Sequence, residues 1–252
     1  MTMDDANLQR GSQFDNQPSN TAAAQLQKNG NINIVLLGKT GVGKSSSGNT
    51  ILGENRFTFG RSHFAVTNIS SVQRSEIDGR SVSVIDTPGC FDTKLPKEQL
   101  SREFARSMFV SAPGVHVFLF IVPFGRFTEK EEEMLTKVKQ VFGKDVLKHV
   151  IILFTYGDEC AQDTVQSEIG RNRVVGRVIR SCHGFHVFNN KDQNNREQVN
   201  DLLRKIDTMV WNQGYYTSEM YQLAQITTFE RFWKIHKNFF KGMIAFFQNM
   251  SQ

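Results

Sequence analysis

The sequence contains no apolar run close to the roughly 20 residues that a membrane-spanning helix needs. Its longest apolar runs lie around Val115–Val122 and Val150–Phe154 and are far shorter. Proline (5 residues) and glycine (19 residues) are too few in a chain of 252 for a collagen-like or wholly disordered protein. The hydrophobic fraction of 39 % and the charged fraction of 22 % predict an ordinary soluble globular protein. The length allows one sizeable domain with extensions, or two small domains.

Cysteine is also scarce, and its pattern excludes a disulfide-stapled or zinc-stabilised fold. The three cysteines are Cys90, Cys160 and Cys182, an odd number at wide spacings. Neither a disulfide framework nor a zinc site is therefore predicted, and reduced thiols in the cytosol are expected.

The N-terminus lacks the apolar stretch of a secretory signal peptide, and Asp4 and Asp5 stand where such a signal is basic. Thr2 excludes the N-myristoylation signal, which requires glycine there. The net charge of +5 is mild and argues against a nucleic-acid partner. We therefore expect a cytoplasmic protein.

The organisation of the chain changes at residue 31. Residues 1–30 are rich in Asn, Gln, Ser and Asp and predict a disordered tail. Beyond them, apolar strands alternate with amphipathic helices, which predicts an α/β fold with a mostly parallel sheet and helices on both faces. Asp78-Gly79 is a hairpin-turn signal that adds one antiparallel edge strand. Strands are expected at 32–37, about 69–77, 80–86, 115–122, 149–154 and 185–188, and helices at 44–52, 129–142, 165–182, 195–211 and 229–247.

A phosphate-binding loop (P-loop) motif follows the first strand. Residues 38–45 fit G-x-x-x-x-G-K-[ST], and the motif opens a helix, as its mechanism requires. The glycines let backbone N–H groups surround phosphate oxygens, and the helix N-terminus adds its positive dipole end. Lys44 is predicted to reach the β- and γ-phosphates, and the Ser45 hydroxyl to bind Mg²⁺. The predicted phosphate-side residues are Gly38, Lys39, Thr40, Gly41, Val42, Gly43, Lys44, Ser45 and Ser46.

A second motif, Asp-Thr-Pro-Gly, begins at Asp86 and closes a strand about 40 residues later. Asp86 suits the carboxylate that holds Mg²⁺, and the Gly89 N–H suits a contact to the γ-phosphate. Thr67, in the loop before the hairpin, is the candidate for completing the Mg²⁺ coordination and sensing the γ-phosphate. The predicted metal ligands are Ser45, Thr67 and Asp86.

A third motif, Thr155-Tyr156-Gly157-Asp158, follows the strand at 149–154. A carboxylate here can accept hydrogen bonds from the N1–H and 2-amino groups of guanine, a pair of donors that adenine lacks. Asp158 is therefore predicted to select GTP over ATP, with Thr155 beside the base and Tyr156 stacked on it. A polar turn without a ligand is the alternative interpretation.

Together these motifs resemble those of the GTPases of immunity-associated proteins (GIMAP), a septin-like branch of the P-loop GTPases. The piece at 125–129, on the connection between two strands, has no role in generic P-loop proteins and makes the resemblance specific. The match covers about Asn31 to Trp211. The matching pieces lie at 38–45, 48–53, 66–67, 86–93, 111–116, 125–129, 154–159 and 185–190.

The resemblance implies a G domain over residues 31–214, with GTP or GDP and Mg²⁺ as cofactors, followed by a helical extension over 215–252. It also implies homo- or hetero-dimerisation through the nucleotide face and a place at intracellular membranes. The last guanine-side element falls on Phe188–Asn190, with Asn189 as the base contact. This sequence departs from the usual pattern at Tyr156, where GTPases often carry a basic residue.

Two hypotheses about activity follow. In the first, the protein is an enzyme that hydrolyses GTP slowly, because Cys90 and Phe91 stand where fast GTPases tend to place a water-orienting glutamine. Arg106 is then the candidate catalytic residue acting across a dimer, alongside Lys44 and Thr67; a solvated surface arginine is the alternative. In the second, the protein is a nucleotide-gated scaffold with negligible hydrolysis. An ATP-dependent enzyme is disfavoured by Asp158.

The segment from Phe229 to Phe247 predicts an amphipathic helix with an aromatic half and a basic half. Lys234, Lys237 and Lys241 lie on the basic half. This composition suits a helix at a membrane surface. The alternatives are that the aromatic half packs back on the G domain or pairs with a second copy.

Overall fold

The structure is a computed structural model that describes residues 31–58, 71–89, 96–159, 167 and 169–249. The strands are β1 (Ile32–Leu37), β2 (Ser71–Ile77), β3 (Arg80–Asp86), β4 (Val117–Pro123), β5 (Val150–Thr155) and β6 (Phe185–Val187). The helices are α1 (Lys44–Leu52), α2 (Lys97–Val110), α3 (Glu129–Phe142), α4 (Arg173–Ser181), α5 (Glu197–Gln213), α6 (Glu219–Ile226) and α7 (Phe229–Gln248). Short 3₁₀ helices cover Lys144–His149 and Gly157–Glu159.

One six-stranded sheet runs through the molecule in the order β2-β3-β1-β4-β5-β6. Among the described strands, β2 pairs antiparallel with β3 and the other four pairs are parallel. The hairpin turn has positive φ at both Asp78 (50°) and Gly79 (74°), the conformation that a type I′ turn requires. The predicted fold class, a mostly parallel sheet with one antiparallel edge hairpin, is confirmed.

The two faces of the sheet are covered by different helices because successive side chains in a strand point in opposite directions. Val35 and Leu37 of β1 pack in one apolar cluster with α2, α3, α4, α6 and α7. Ile34 and Leu36 pack in a second cluster with α1 and α5. Since β1 is at most 5 % exposed along its length, it forms the centre of a core on both sides.

Helix α3 begins at a complete capping box. The Thr128 side chain accepts a backbone hydrogen bond from the first turn, and the Glu131 carboxylate accepts the Thr128 N–H at 2.9 Å. This reciprocal pairing satisfies backbone donors that the helix itself leaves open. It fixes the start of α3 at the residue that the sequence predicts.

The site-bearing loops lie together because of the strand order. Strand β1 lies between β3 and β4 in the sheet. The strands that follow it in the chain therefore lie first on one side of it (β2 and β3) and then on the other (β4, β5 and β6). Ligands of open parallel sheets bind at the carboxyl ends of strands near such a switch point. The P-loop, the Asp86 motif and the Thr155 motif follow β1, β3 and β5 at this edge.

The aromatic half of α7 packs back on the domain, mainly against α2. Phe232, Phe240 and Phe247 are at most 1 % exposed, and the ring of Phe109 in α2 lies 5.4 Å from that of Phe232. Lys237 and Lys241 pair with Glu98 of α2. Three apolar side chains stay on the outer surface of the helix: Ile235, Phe239 and Phe246. No helix in the described part of the chain has the length and apolar character needed to cross a membrane.

Candidate functional site

The P-loop takes a backbone path that depends on glycine. Gly38, Gly41 and Gly43 have φ values of 146°, 81° and 100°, in the region that residues with a side chain rarely adopt. A Cβ on Gly38 would lie 2.7 Å from the Ile121 carbonyl oxygen of β4. The loop is therefore pressed against the neighbouring strand, where only glycine fits.

Lys44 is buried inside this loop. The residue is 7 % exposed, and its Nζ donates to the Lys39 carbonyl oxygen at 2.8 Å. The ammonium group is thus held across the concave side of the loop that carries it. This position is the one expected for a cation that binds phosphate oxygens.

Ser45 and Asp86 meet although 41 residues separate them in the chain. The parallel pairing of β1 with β3 places Leu36 opposite Asp86, at the strand ends that precede the two motifs. The Ser45 hydroxyl donates to Asp86 Oδ2 at 2.6 Å, and Asp86 is 1 % exposed. A hydroxyl and a carboxylate are the oxygen ligands that Mg²⁺ prefers, so these residues fit that ion.

The Asp-Thr-Pro-Gly motif lies directly against the P-loop. The Thr87 hydroxyl donates to the Leu36 carbonyl oxygen of β1 at 2.6 Å. A Cβ on Gly89 would lie 2.3 Å from Thr40 Oγ1 and 3.1 Å from the Thr40 nitrogen. The predicted γ-phosphate contact therefore lies next to the loop predicted to bind the other phosphates.

The predicted base-side residues lie beside the same loop. The Thr155 hydroxyl donates to the Val42 carbonyl oxygen at 2.9 Å, which ties the end of β5 to the P-loop. Tyr156 has a left-handed backbone (φ 64°) and an exposed ring. Asp158 pairs with Lys191, and the hydrogen bond from that ammonium lowers the pKa of the Asp158 carboxyl below its usual value. Asp158 is therefore an ionised acceptor at neutral pH.

The loop after β6 contributes the predicted base contact, Asn189, and its neighbour Asn190, for which the sequence predicts no separate role. Asn190 accepts a hydrogen bond from Thr50 Oγ1 at 2.8 Å and donates to Ser47 Oγ at 3.0 Å, which links this loop to α1. Asn189, the predicted base contact, accepts the Lys191 N–H at 3.0 Å through its side chain. Their shared position, directly after a strand at the site edge, is the sequence signal that marks them.

The remaining predicted catalytic residues are Thr67 and Arg106. Thr67 lies outside the residues that the structure describes. Arg106 lies on α2 with its guanidinium 4.7 Å from the centre of the Phe229 ring and 3.8 Å from the Glu103 carboxylate. The structure thus places Arg106 against the C-terminal helix, with a half-exposed side chain.

Comparisons with known proteins identify the family of this chain. Residues 32–235 match the family model described as the AIG1 family. Human GTPase IMAP family member 8 is 33 % identical over 187 residues, which are 73 % of this chain and 28 % of the relative. Immune-associated nucleotide-binding protein 7 of Arabidopsis thaliana is 32 % identical over 207 residues, 77 % of this chain and 66 % of the relative. The chain thus spans between about a quarter and two thirds of these relatives.

Two solved structures with similar folds contain bound GDP. Toc33 from Arabidopsis thaliana in complex with GDP and Mg²⁺ superimposes with a TM-score of 0.58 at 18 % identity, over 77 % of this chain and 90 % of that one. Era from Aquifex aeolicus gives a TM-score of 0.54 at 21 % identity, over 69 % of this chain and 56 % of that one. At these identities the likeness concerns the fold.

Proposed function

The chain belongs to the AIG1 family, and from this premise we propose that it binds GTP together with Mg²⁺ and hydrolyses the GTP slowly. The main support for this proposal is the hydrogen bond of 2.6 Å from the Ser45 hydroxyl to Asp86 Oδ2 beside the P-loop. Asp86 is 1 % exposed, and burying a charged carboxylate is costly. A purely structural pair of Ser45 and Asp86 is therefore disfavoured. A divalent cation at these two oxygens offsets that cost.

On the phosphate side, Lys44 exchanges its bond to the Lys39 carbonyl for the β- and γ-phosphate oxygens. Ser45 and Asp86 hold Mg²⁺, which supplies charge neutralisation at the phosphates when it is bound. Gly89 brings its backbone N–H close to the γ-phosphate, since its missing side chain leaves the P-loop within contact distance. Thr67, which lies outside the described residues, is proposed as the third Mg²⁺ ligand from its sequence position alone.

On the base side, Asp158 accepts the guanine N1–H and 2-amino hydrogens, and Tyr156 stacks on the ring. The support is the ionised state of Asp158 and the exposed ring of Tyr156 at the same loop. Asn189 contacts the base from the loop after β6. Adenine is rejected because it lacks the pair of donors that the Asp158 carboxylate accepts from guanine.

Slow turnover follows from the residues after the Asp86 motif, where Cys90 and Phe91 cannot orient a water molecule. We propose that two copies associate through the nucleotide face and that Arg106 supplies positive charge to the partner copy's site. Dimerisation is important for the GTPase activity of the chloroplast translocon components atToc33 and psToc159, which supports this idea by analogy.

A nucleotide-gated scaffold at intracellular membranes is the second candidate function. The observation that favours it is the exposed set of Ile235, Phe239 and Phe246 on α7, next to the exposed Lys234. Sedimentation of the full chain with anionic liposomes tests it, because membrane binding through this helix should fall when Lys234, Lys237 and Lys241 are changed to Glu. Full-length protein that ignores the liposomes with GTP or GDP bound would rule the membrane role out.

The proposed GTP site is tested by calorimetry on Lys44→Ala and Ser45→Asn. Both variants should lose most or all GTP affinity, since one lacks the phosphate cation and the other the metal-binding hydroxyl. Ser181→Asn, at the end of α4, is the matched control for the serine change and should bind GTP normally. Unchanged affinity in both P-loop variants would contradict the proposal.

A further inference from the structure

The P-loop has a side-chain anchor on another element. Lys39, in the loop, forms an ion pair with Oε1 of Glu131 in the first turn of α3, 92 residues away in the chain. The other oxygen of Glu131, Oε2, accepts hydrogen bonds from the N–H and the hydroxyl of Thr128. The Glu131 side chain is only 8 % exposed, so both of its oxygens are committed inside the protein.

The same lysine holds the predicted phosphate cation. The carbonyl oxygen of Lys39 accepts the hydrogen bond from Lys44 Nζ at 2.8 Å. A continuous series of contacts therefore runs from the capping box of α3, through Lys39, to Lys44. Gly38 directly precedes Lys39 and Gly41 follows it by two residues, and glycines lose more conformational freedom on ordering than other residues. The ion pair of Lys39 therefore restricts the loop between two glycines, where the backbone is otherwise least restricted.

We propose that Glu131 is a positioning residue for the nucleotide site, which holds Lys39 and thereby sets the P-loop conformation that receives phosphate. This proposal rests on the proposed GTP-binding function. The burial of Glu131 opposes its ionisation, whereas the hydrogen bonds from Lys39 and Thr128 outweigh that effect and lower its pKa below the usual value. The ion pair is thus present throughout the neutral range.

The alternative is that Glu131 has a structural role only, as part of the capping box of α3. Glu131→Gln separates the two roles, because glutamine at this position also completes a capping box but carries no charge to hold Lys39. The direction in which Glu131→Gln changes GTP affinity distinguishes two effects. Removing a negative charge near bound phosphates would by itself strengthen the binding of an anionic nucleotide. Loss of P-loop positioning would weaken it.

A double-mutant cycle tests the proposal, with GTP affinity in the presence of Mg²⁺ measured by calorimetry and thermal unfolding measured without nucleotide. Glu131→Gln should weaken GTP binding by about fivefold or more in the wild-type background and have little effect in the Lys39→Met background. Its unfolding temperature should stay close to that of the wild type. Glu132→Gln is the matched control: it removes an ion pair of α3 with Arg177, at 3.0 Å, and should leave GTP affinity unchanged.

Three results would overturn the inference. Equal or tighter GTP binding by Glu131→Gln would show that the ion pair does not position the loop. An equal loss in both backgrounds would show that Glu131 does not act through Lys39. If the wild type and Glu132→Gln both bind no GTP, the proposed function itself fails and the inference falls with it.

Discussion

Gly89 lies against the P-loop with no room for a side chain. The Cβ of Gly89→Ala would lie 3.1 Å from the backbone nitrogen of Thr40 as well as 2.3 Å from its hydroxyl, so the loop itself has to move. We expect GTP affinity to fall by about tenfold or more, because small displacements of positioning groups are costly. Gly242→Ala on α7 meets nothing within 4 Å and serves as the control, with unchanged affinity. Wild-type affinity in Gly89→Ala would contradict the assigned position of the γ-phosphate contact.

Asp158 carries the choice of base. Asp158→Asn should weaken GTP binding by about 1–3 kcal/mol, because the guanine donors lose a charged acceptor. The variant should gain relative affinity for xanthosine triphosphate, whose 2-oxo group accepts a hydrogen bond from the new amide. Competition binding with the two nucleotides measures both effects. A guanine preference that survives intact would show that another residue reads the base.

The pKa of Asp158 also predicts how base choice depends on pH. Lys191 lowers this pKa below the usual 3.8, so the carboxylate keeps its charge above that value and loses it only as the pH falls through the lowered pKa. Guanine preference should therefore stay constant between about pH 5 and about pH 8. A loss of preference near pH 6 would point to a histidine as the reading group.

Among single residues, the sequence identifies those whose predicted role comes from a short motif. The roles predicted for Lys44 and Ser45 follow from the P-loop pattern after a strand, and that of Asp86 follows from the second motif about 40 residues later. The link between Lys39 and Glu131 does not, since it joins side chains from two elements that no local pattern relates. The left-handed backbone of Tyr156 is likewise absent from the pattern, because propensity favours that conformation for Gly, Asn or Asp.

Among the elements, α7 offers a direct comparison of two adjacent phenylalanines. Phe240 is fully buried against the domain, whereas Phe239 is 40 % exposed. Phe240→Ala should lower the free energy of unfolding by about 3–5 kcal/mol, the usual cost of emptying a buried aromatic site. Phe239→Ala should cost much less. Urea denaturation of both variants measures the difference.

Equal, small losses in the two variants would mean that α7 is not part of the folded core. Equal and large losses would mean that the outer face of the helix is covered by another surface, such as a second copy. Either result would contradict the packing of α7 described above.

The elements themselves follow from the sequence to different degrees. Helix α3 and the β3 strand have the predicted limits, because a capping box and a hairpin turn mark their starts. Within the predicted helical extension, the sequence does not predict α6 as a separate helix, because only Tyr221 and Ala224 of its eight residues are buried. The strand expected from His149 begins at Val150, because the preceding residues close a 3₁₀ turn. The amphipathic pattern of α7 fits a helix packed on the domain and a helix at a membrane surface equally well. The tertiary contacts of α7 with the domain distinguish the two.

For the molecule as a whole, GTP turnover should depend on association between copies. The single-turnover rate is expected to rise steeply with protein concentration, because each copy lacks a water-orienting side chain of its own after Asp86. Arg106→Ala should flatten this rise. Arg102→Ala is the matched control, since Arg102 lies over the same Phe229 ring at 5.3 Å and its loss loosens α7 in a similar way. Identical behaviour of the two variants would remove Arg106 from catalysis, and a flat, near-zero wild-type rate would favour the scaffold.

The measurement that tests the central claim most directly is a calorimetric titration of the full chain with GTP and with ATP, each in Mg²⁺ and in a chelator. The account predicts one GTP site per chain, with ATP bound at least about a hundredfold more weakly because adenine leaves Asp158 unmatched. It also predicts that GTP affinity falls when Mg²⁺ is removed, since Ser45 and Asp86 then lose the ion that they hold. Equal affinity for ATP and GTP, or no binding of either nucleotide, would contradict it.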